Sequence, residues 1–93
     1  MRSEDVLNEQ FRATKYDLGY DPLEVDNFLD QAARALHSYE TGETQSLPLT
    51  AAQVEDVTFE STRFKTGYDQ REVDEFLDRL ADAFAQHERN NTK

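Results

Sequence analysis

Few residues of this 93-residue chain have the types and spacing that catalytic chemistry requires. His37 and His87 are isolated near the C-terminal ends of predicted helices, where a histidine usually contacts free carbonyl groups. The carboxylates suit helix caps and a solvated helix face, and no phosphate loop, paired-histidine zinc motif or nucleophile elbow accompanies them. We therefore predict no enzyme and no catalytic, metal or cofactor-binding residue, with a small hydrolase or metal-dependent enzyme as the remote alternative.

Two predicted loops hold the remaining candidates for binding. Tyr16 and Phe64 occupy matching positions in these loops, where an aromatic residue serves equally well as core or as a binding anchor. The second loop is basic because it contains Arg63 and Lys65, whereas the first loop contains the acidic Asp17. We predict a loop contact surface formed by Tyr16, Leu18, Arg63, Phe64 and Lys65.

The charge balance narrows the range of partners. Asp and Glu number 20 against 10 Lys and Arg, so the formal net charge is -10. Nucleic-acid binding needs a basic face, and adhesion to an anionic membrane is also unfavourable for such a chain. The sequence holds no cysteine, no apolar run of membrane-spanning length and no secretory leader at its start. We expect a cytoplasmic protein that does not bind nucleic acid.

An internal repeat organises the chain. When the sequence is shifted by 48 residues, positions 1–45 align with 49–93 without a gap, and 16 of the 45 pairs are identical. The identities cluster in three strings, Gly-Tyr-Asp at 19–21 and 67–69, Glu-Val-Asp at 24–26 and 72–74, and Phe-Leu-Asp at 28–30 and 76–78. We predict a first repeat over 1–40, a linker over 41–48 and a second repeat over 49–93.

Each repeat is predicted to fold as a short helix, a loop and a long helix. Thr50 and Gln53 form a capping box for the second short helix. The long helices are predicted over 22–40 and 70–88, and the expected loop and capping residues are Gly19, Tyr20, Asp21, Glu24, Gly67, Tyr68, Asp69 and Glu72. The two glycines are expected to adopt a backbone conformation that a Cβ would disfavour.

A heptad pattern runs along both long helices. The apolar residues follow the 3.5-residue period of a coiled coil and define a predicted helix-pairing seam: Val25, Leu29, Ala32, Leu36, Tyr39, Val73, Leu77, Leu80 and Phe84. Helices of this length are marginal alone and must pack against a partner. We predict an all-α fold in which the long helices pair as a short coiled coil or a helical hairpin or bundle, completed by dimerisation.

The linker limits how the two long helices can pair. A 19-residue helix is about 28 Å long, and the nine residues 41–49 that connect the repeats reach only about 30 Å when extended. Parallel pairing within one chain is therefore possible but taut, whereas an antiparallel pair within the chain, or parallel pairing with a second chain, is easier. The sequence leaves these alternatives open.

The repeated string resembles the N-terminal domain of the DivIVA family. It has the form GYD-x2-EVD-x-FLD, with Phe59 and Phe64-Lys65-Thr66 before it in the second repeat, and the two copies cover nearly the whole chain. Members of that family are bacterial cytoplasmic proteins of cell division and polar growth. Their N-terminal domain is a short parallel coiled-coil dimer topped by crossed loops, whose tips offer an apolar residue beside a basic one to membrane and partners.

The resemblance implies a non-enzymatic protein-protein interaction or adaptor module. It places Asp17-Leu18 and Lys65-Thr66 at the loop tips, and neither pair combines an apolar with a basic residue, so we expect membrane contact to be weak. Its partners would be other DivIVA-family or division proteins, reached by coiled-coil pairing at the division site, the pole or the inner membrane surface. The alternative is a peripheral membrane-associated adaptor that uses the loop around Phe64 and Lys65.

Overall fold

The computed structural model describes residues 1–15, 17–42, 49–63 and 65–91; residues 90 and 91 are described by their backbone alone. The described part of the chain is mostly helical. The described residues form the helices α1 (Ser3–Asn8), α2 (Pro22–Thr41), α3 (Ala51–Asp56) and α4 (Gln70–Asn91). The long helices thus begin at the predicted residues and extend slightly beyond the predicted ends. No helix in the described part of the chain is long and apolar enough to cross a membrane.

Local sequence explains where these helices begin and end. The Asp21 carboxylate accepts a hydrogen bond from the Leu23 backbone N–H at 2.9 Å, and Pro22 fills the first helical position of α2. The predicted capping box of α3 is present in both directions between Thr50 and Gln53. The helix α2 ends at Thr41 and is capped by Gly42, whose φ of 78° is left-handed and suits glycine.

A small antiparallel sheet makes the all-α prediction too simple. Its strands are β1 (Ala13–Thr14), β2 (Gly19–Tyr20), β3 (Ser61–Thr62) and β4 (Gly67–Asp69), in the order β1-β4-β2-β3. Every pairing joins the first half of the chain (residues 1–42) to the second half (49–91). Such short strands have no stability alone, and they form here because each lies against a strand of the other half.

Each short helix packs antiparallel against the long helix of its own half. The carboxylate of Glu40, near the end of α2, accepts hydrogen bonds from the backbone N–H and the hydroxyl of Ser3, at 2.7 and 2.9 Å. Burial opposes ionisation of Glu40, but these hydrogen bonds, together with the charges of His37 and Arg2, lower the pKa of that carboxyl. At the position 48 residues on, Glu88 accepts from the Ala51 backbone N–H at 2.8 Å. In both halves, a carboxylate of the long helix therefore accepts a hydrogen bond from a free backbone N–H at the start of the short helix.

The two long helices lie parallel within the one chain. Near their C-terminal ends the Tyr39 ring stacks on His87, with centroids 4.8 Å apart, and meets Phe84 edge-on at 6.2 Å. Near their N-terminal ends β2 pairs with β4 immediately before each helix begins. The chain therefore adopts the arrangement that its predicted linker, 41–48, was expected to make taut; residues 43–48 lie outside the described residues.

Candidate interaction surfaces

The predicted helix-pairing seam forms the core of the molecule. Val25, Ala32, Leu36, Val73, Leu80 and Phe84 are fully buried, Leu29 and Leu77 keep less than a tenth of their surface, and Tyr39 packs against this cluster while partly exposed. Phe76 joins them, whereas Phe28 remains half-buried beside the cluster. The seam is thus covered by the chain itself. It is not a surface that a partner can reach while the chain stays folded.

The strands cross where Gly19 and Gly67 meet. Neither glycine has a positive φ, so the expected unusual backbone conformation is not the reason for glycine here. The reason is close approach. A Cβ on Gly19 would overlap the Thr14 hydroxyl and lie 2.9 Å from the Tyr68 carbonyl oxygen, and one on Gly67 would overlap the Thr62 hydroxyl. Only glycine lets the two halves approach so closely.

Glu24 and Glu72 do not complete the capping boxes that the sequence predicted for α2 and α4. Glu24 instead accepts a hydrogen bond from the Glu60 backbone N–H at 2.9 Å, and Glu72 accepts one from the Arg12 backbone N–H at 2.7 Å. The caps themselves remain, since the Asp69 side chain accepts from the Glu72 backbone N–H at 3.1 Å. Both glutamates therefore bind the other half of the chain rather than their own.

Two tyrosines make a matching pair of cross-links. The Tyr20 hydroxyl donates to Asp74 and the Tyr68 hydroxyl donates to Asp26, each at 2.8 Å. Burial, then the hydrogen bond to the Asp74 carboxylate, raises the pKa of Tyr20 to about 12, and burial together with Asp26 raises the pKa of Tyr68. These contacts join the first loop to α4 and the second loop to α2.

Aromatic contacts also join each half of the chain to the other. Phe59 packs against Tyr20 at 5.5 Å and Phe28 at 5.8 Å, all distances being between ring centroids. Phe11 packs in the same way against Tyr68 at 5.3 Å and Phe76 at 5.7 Å. Each phenylalanine therefore packs on the half of the chain to which it does not belong.

The predicted loop contact surface is divided between two corners of the sheet. Because β2 and β4 are antiparallel, each loop ends beside the long helix of the other half, and the Gln70 side chain donates to the Gly19 carbonyl at 3.2 Å. Leu18 is therefore placed near the start of α4, with 48% of its surface exposed. Arg63 and Lys65 are exposed and line a hollow of about 400 Å³ with residues at the start of α2. Tyr16 and Phe64 lie outside the described residues.

Leu23 is an exposed apolar residue that the sequence did not single out. It is 67% exposed in the first turn of α2, one residue after Pro22, which helps to line the hollow beside Arg63 and Lys65. The first corner thus carries Leu18 near the start of α4, and the second carries Leu23 one residue after the Pro22 that lines the hollow with Arg63 and Lys65. Its exposure could have been predicted from its position outside the heptad seam, since the equivalent residue in the second half is the charged Arg71.

Three carboxylates meet at the second corner. Oxygen atoms of Asp21, Glu24 and Glu60 lie within 4.8 Å of one another. Asp21 and Glu24 each already accept a backbone hydrogen bond, and position 12, the equivalent of Glu60 in the first half, is arginine. The trio is therefore explained by caps and crossings, with like-charge repulsion that the other corner avoids.

No protein-family model, curated protein or solved structure matches this chain.

Proposed function

We propose that this chain is a non-enzymatic protein-protein interaction or adaptor module, related to the bacterial cell-division and polar-growth scaffold proteins of the DivIVA family. The observation that carries the proposal is the reciprocal crossing of the loops over a parallel helix pair. That arrangement matches what the resemblance implies for a dimer of the family domain, here formed by the two halves of one chain. The motif residues Gly19, Tyr20, Gly67 and Tyr68 are the ones that hold the crossing.

The short coiled-coil pairing then takes place inside the chain, and partners bind the outside. A seam residue such as Leu36 is fully buried, so pairing through the seam with another chain requires the halves to separate and re-pair. A homo-oligomer of intact chains would instead use the outer faces of the helices or the loop contact surface. Its proposed partners are other DivIVA-family or division proteins, which would hold it in the cytoplasm at the division site, the pole or the inner membrane surface.

Photo-crosslinking in the bacterium that carries the gene tests this proposal. A photoreactive phenylalanine analogue would replace Leu18, which is exposed beside the crossing, or Leu36, which is buried in the core. We expect the Leu18 position to give adducts with a division or polar-growth protein and the Leu36 position to give none between chains. A chain that neither concentrates at the septum or pole nor forms adducts at Leu18 would contradict the proposal.

A peripheral membrane-associated adaptor, acting through the loop around Phe64 and Lys65, is the second candidate. The exposure of Leu23 favours it, since Leu23 follows Pro22, which lines the same hollow as Arg63 and Lys65, and apolar and basic side chains together bind anionic lipid. One inserted side chain contributes about 1.5–3 kcal/mol, and the acidic total opposes the approach of an anionic surface. The expected attachment is weak and is lost in salt.

Flotation with liposomes that contain anionic lipid distinguishes the two candidates. Lys65→Glu combined with Leu23→Ser should abolish flotation at low salt if the corner is a membrane anchor. Leu7→Ser is the matched control, since Leu7 is 63% exposed on α1, away from the crossing. Absence of the unaltered chain from the floated fraction at low salt would eliminate the membrane candidate.

A further inference from the structure

The half-exposed Val57, just after α3, lies between two hollows on the surface of the molecule. One hollow, of about 360 Å³, is lined by Phe28, Gln31, Leu49, Gln53, Asp56 and Val57. The other, of about 220 Å³, is lined by Val54, Glu55, Val57, Asp74, Leu77 and Asp78. Both volumes are near or below the lower end of small-molecule sites, and they suit single apolar side chains of a larger partner. We call the two hollows together the Val57 surface.

Charge on the Val57 surface has one sign. Among the described residues that line it four are acidic, Glu55, Asp56, Asp74 and Asp78, and none is basic. Two arginines of α4 pair with other carboxylates, since Arg71 lies 3.3 Å from Glu75 and Arg79 lies 3.9 Å from Glu9. Asp74 is also held by the Tyr20 hydroxyl, a neutral donor that leaves its charge in place. An apolar floor is thus surrounded by carboxylates that lack a basic partner among the described ion pairs.

The first half of the chain shows that the fold does not require this surface. Position 9 is the equivalent of Val57, and it holds a glutamate whose carboxylate lies 3.9 Å from the Arg79 guanidinium of α4. Position 31 is the equivalent of Arg79, and it holds a glutamine that lines the hollow beside Val57. The same backbone therefore carries an ion pair on one side and an open apolar, acid-rimmed surface on the other. The difference between the halves points to binding rather than stability.

We infer that the Val57 surface binds a basic amphipathic segment of a partner protein, which inserts apolar side chains into the two hollows and places Lys or Arg against the four carboxylates. Such segments read a groove through apolar anchors at helical spacing, and the complementary charge increases the association rate. The inference rests on the proposed function and names the chemistry of its partner.

Titration of labelled peptides, followed by fluorescence anisotropy, tests the inference on the whole chain. The probe is a peptide of about four helical turns with Leu at positions i, i+3, i+4 and i+7 and Lys elsewhere. One control peptide carries Glu in place of Lys, and another carries Ser in place of Leu. We expect the Leu/Lys peptide alone to bind, more weakly as ionic strength rises. Equal binding of the Lys/Ser peptide would show general attraction to an acidic protein and would overturn the inference.

The variant Gln31→Arg with Val57→Glu transplants the ion pair of the first half into the Val57 surface. It should weaken binding of the Leu/Lys peptide by about tenfold or more, because a charged pair replaces the apolar Val57 side chain between the two hollows while the net charge of the chain stays the same. Leu7→Glu is the matched control and should leave binding unchanged, since it places on α1 the residue that α3 carries at position 55. Undiminished binding to the transplanted variant would refute the inference.

Failure here is distinguishable from failure of the proposed function. A photoreactive residue at position 57 can be compared in cells with the one at position 18. If adducts form at position 18 but the peptide does not bind and no adducts form at position 57, the proposed adaptor function stands and the Val57 surface is refuted. Peptide binding in a chain without any division or polar-growth partner would remove the proposed function and keep the surface.

Discussion

Substituting Gly19 with alanine tests the crossing of the two halves. The added Cβ would overlap the Thr14 hydroxyl and lie 2.9 Å from the Tyr68 carbonyl oxygen, which belongs to the strand paired with β2. Overpacking of this kind costs about 1–3 kcal/mol, and displacing the carbonyl weakens a ladder hydrogen bond worth about 1 kcal/mol. We therefore expect Gly19→Ala to cost about 3 kcal/mol of a total stability of about 5–14 kcal/mol.

Thermal unfolding followed by circular dichroism measures this cost. For a domain of this size about 3 kcal/mol lowers the Tm by about 12–24 °C. Gly42→Ala is the matched control, because Gly42 has a φ of 78° but no described residue lies within 4 Å of an added Cβ, and it should cost about 1 kcal/mol. If Gly19→Ala is as mild as Gly42→Ala, the two halves do not approach as described.

A second alanine separates side-chain from backbone clashes at the crossing. The hydroxyls of Thr14 and Thr62 are buried without a hydrogen-bond partner among the described residues, so either can be removed without losing a bond. Thr62→Ala should largely rescue Gly67→Ala, whose remaining contacts are backbone atoms at 3.1 and 3.2 Å. Thr14→Ala should rescue Gly19→Ala less, because the Tyr68 carbonyl oxygen stays at 2.9 Å. Equal rescue at the two sites would contradict this difference.

Three further predictions concern the core, the cross-links and the acidic corner. Leu36→Ala should cost about 2–5 kcal/mol in chemical denaturation, because Leu36 is fully buried, whereas Leu7→Ala should have little effect. The folded state raises the pKa of Tyr20 to about 12, so this tyrosine contributes stability that is complete below pH 10 and is lost as pH rises toward 12. Tyr20→Phe should remove this part of the loss of stability at alkaline pH. An unchanged dependence of stability on alkaline pH would refute the hydrogen bond to Asp74. Glu60→Arg should raise the Tm by a few degrees at low salt and less at high salt, since it relieves the carboxylate trio; a lowered Tm would contradict that repulsion.

The sequence predicted those parts of the fold that depend on neighbouring residues. Asp21 with Pro22, and Thr50 with Gln53, mark helix starts through contacts within one turn, and the helices begin there. The heptad period named residues such as Val25 and Phe84, which are fully buried. Amphipathic periodicity reports burial directly, whichever helix supplies the cover.

The parts that depend on distant residues could not be predicted in this way. The strands are two or three residues long and carry no alternating pattern, because their pairing comes from the other half of the chain. Glu24 and Glu72 matched the capping-box spacing, yet their acceptor atoms bind backbone 36 and 60 residues away. Gly19 was singled out correctly for the wrong reason, since close approach rather than φ requires it.

The candidate surfaces could likewise be predicted only in part from the sequence. The loop residues Leu18, Arg63 and Lys65 are exposed, as a contact surface requires, but no sequence pattern indicated which long helix each loop would end beside. Val57 followed no motif and differed from its equivalent, Glu9, in a way that gains meaning only beside Arg79. Comparing the two halves within the folded chain is what separates residues that the fold needs from residues that it tolerates.

A cross-link between the ends of the long helices tests the central claim, that the two halves pair in parallel within one chain, most directly. The chain has no cysteine, so Tyr39→Cys with His87→Cys provides a single reactive pair at positions whose rings now stack at 4.8 Å. Tyr39→Cys with Gln70→Cys is the control, because residue 70 lies at the opposite end of α4. After treatment with a short thiol cross-linker, we predict that the first pair joins within one chain, as measured by mass spectrometry under denaturing conditions, and that the second does not. Cross-links found only between chains, or formed by the 39–70 pair, would contradict the account.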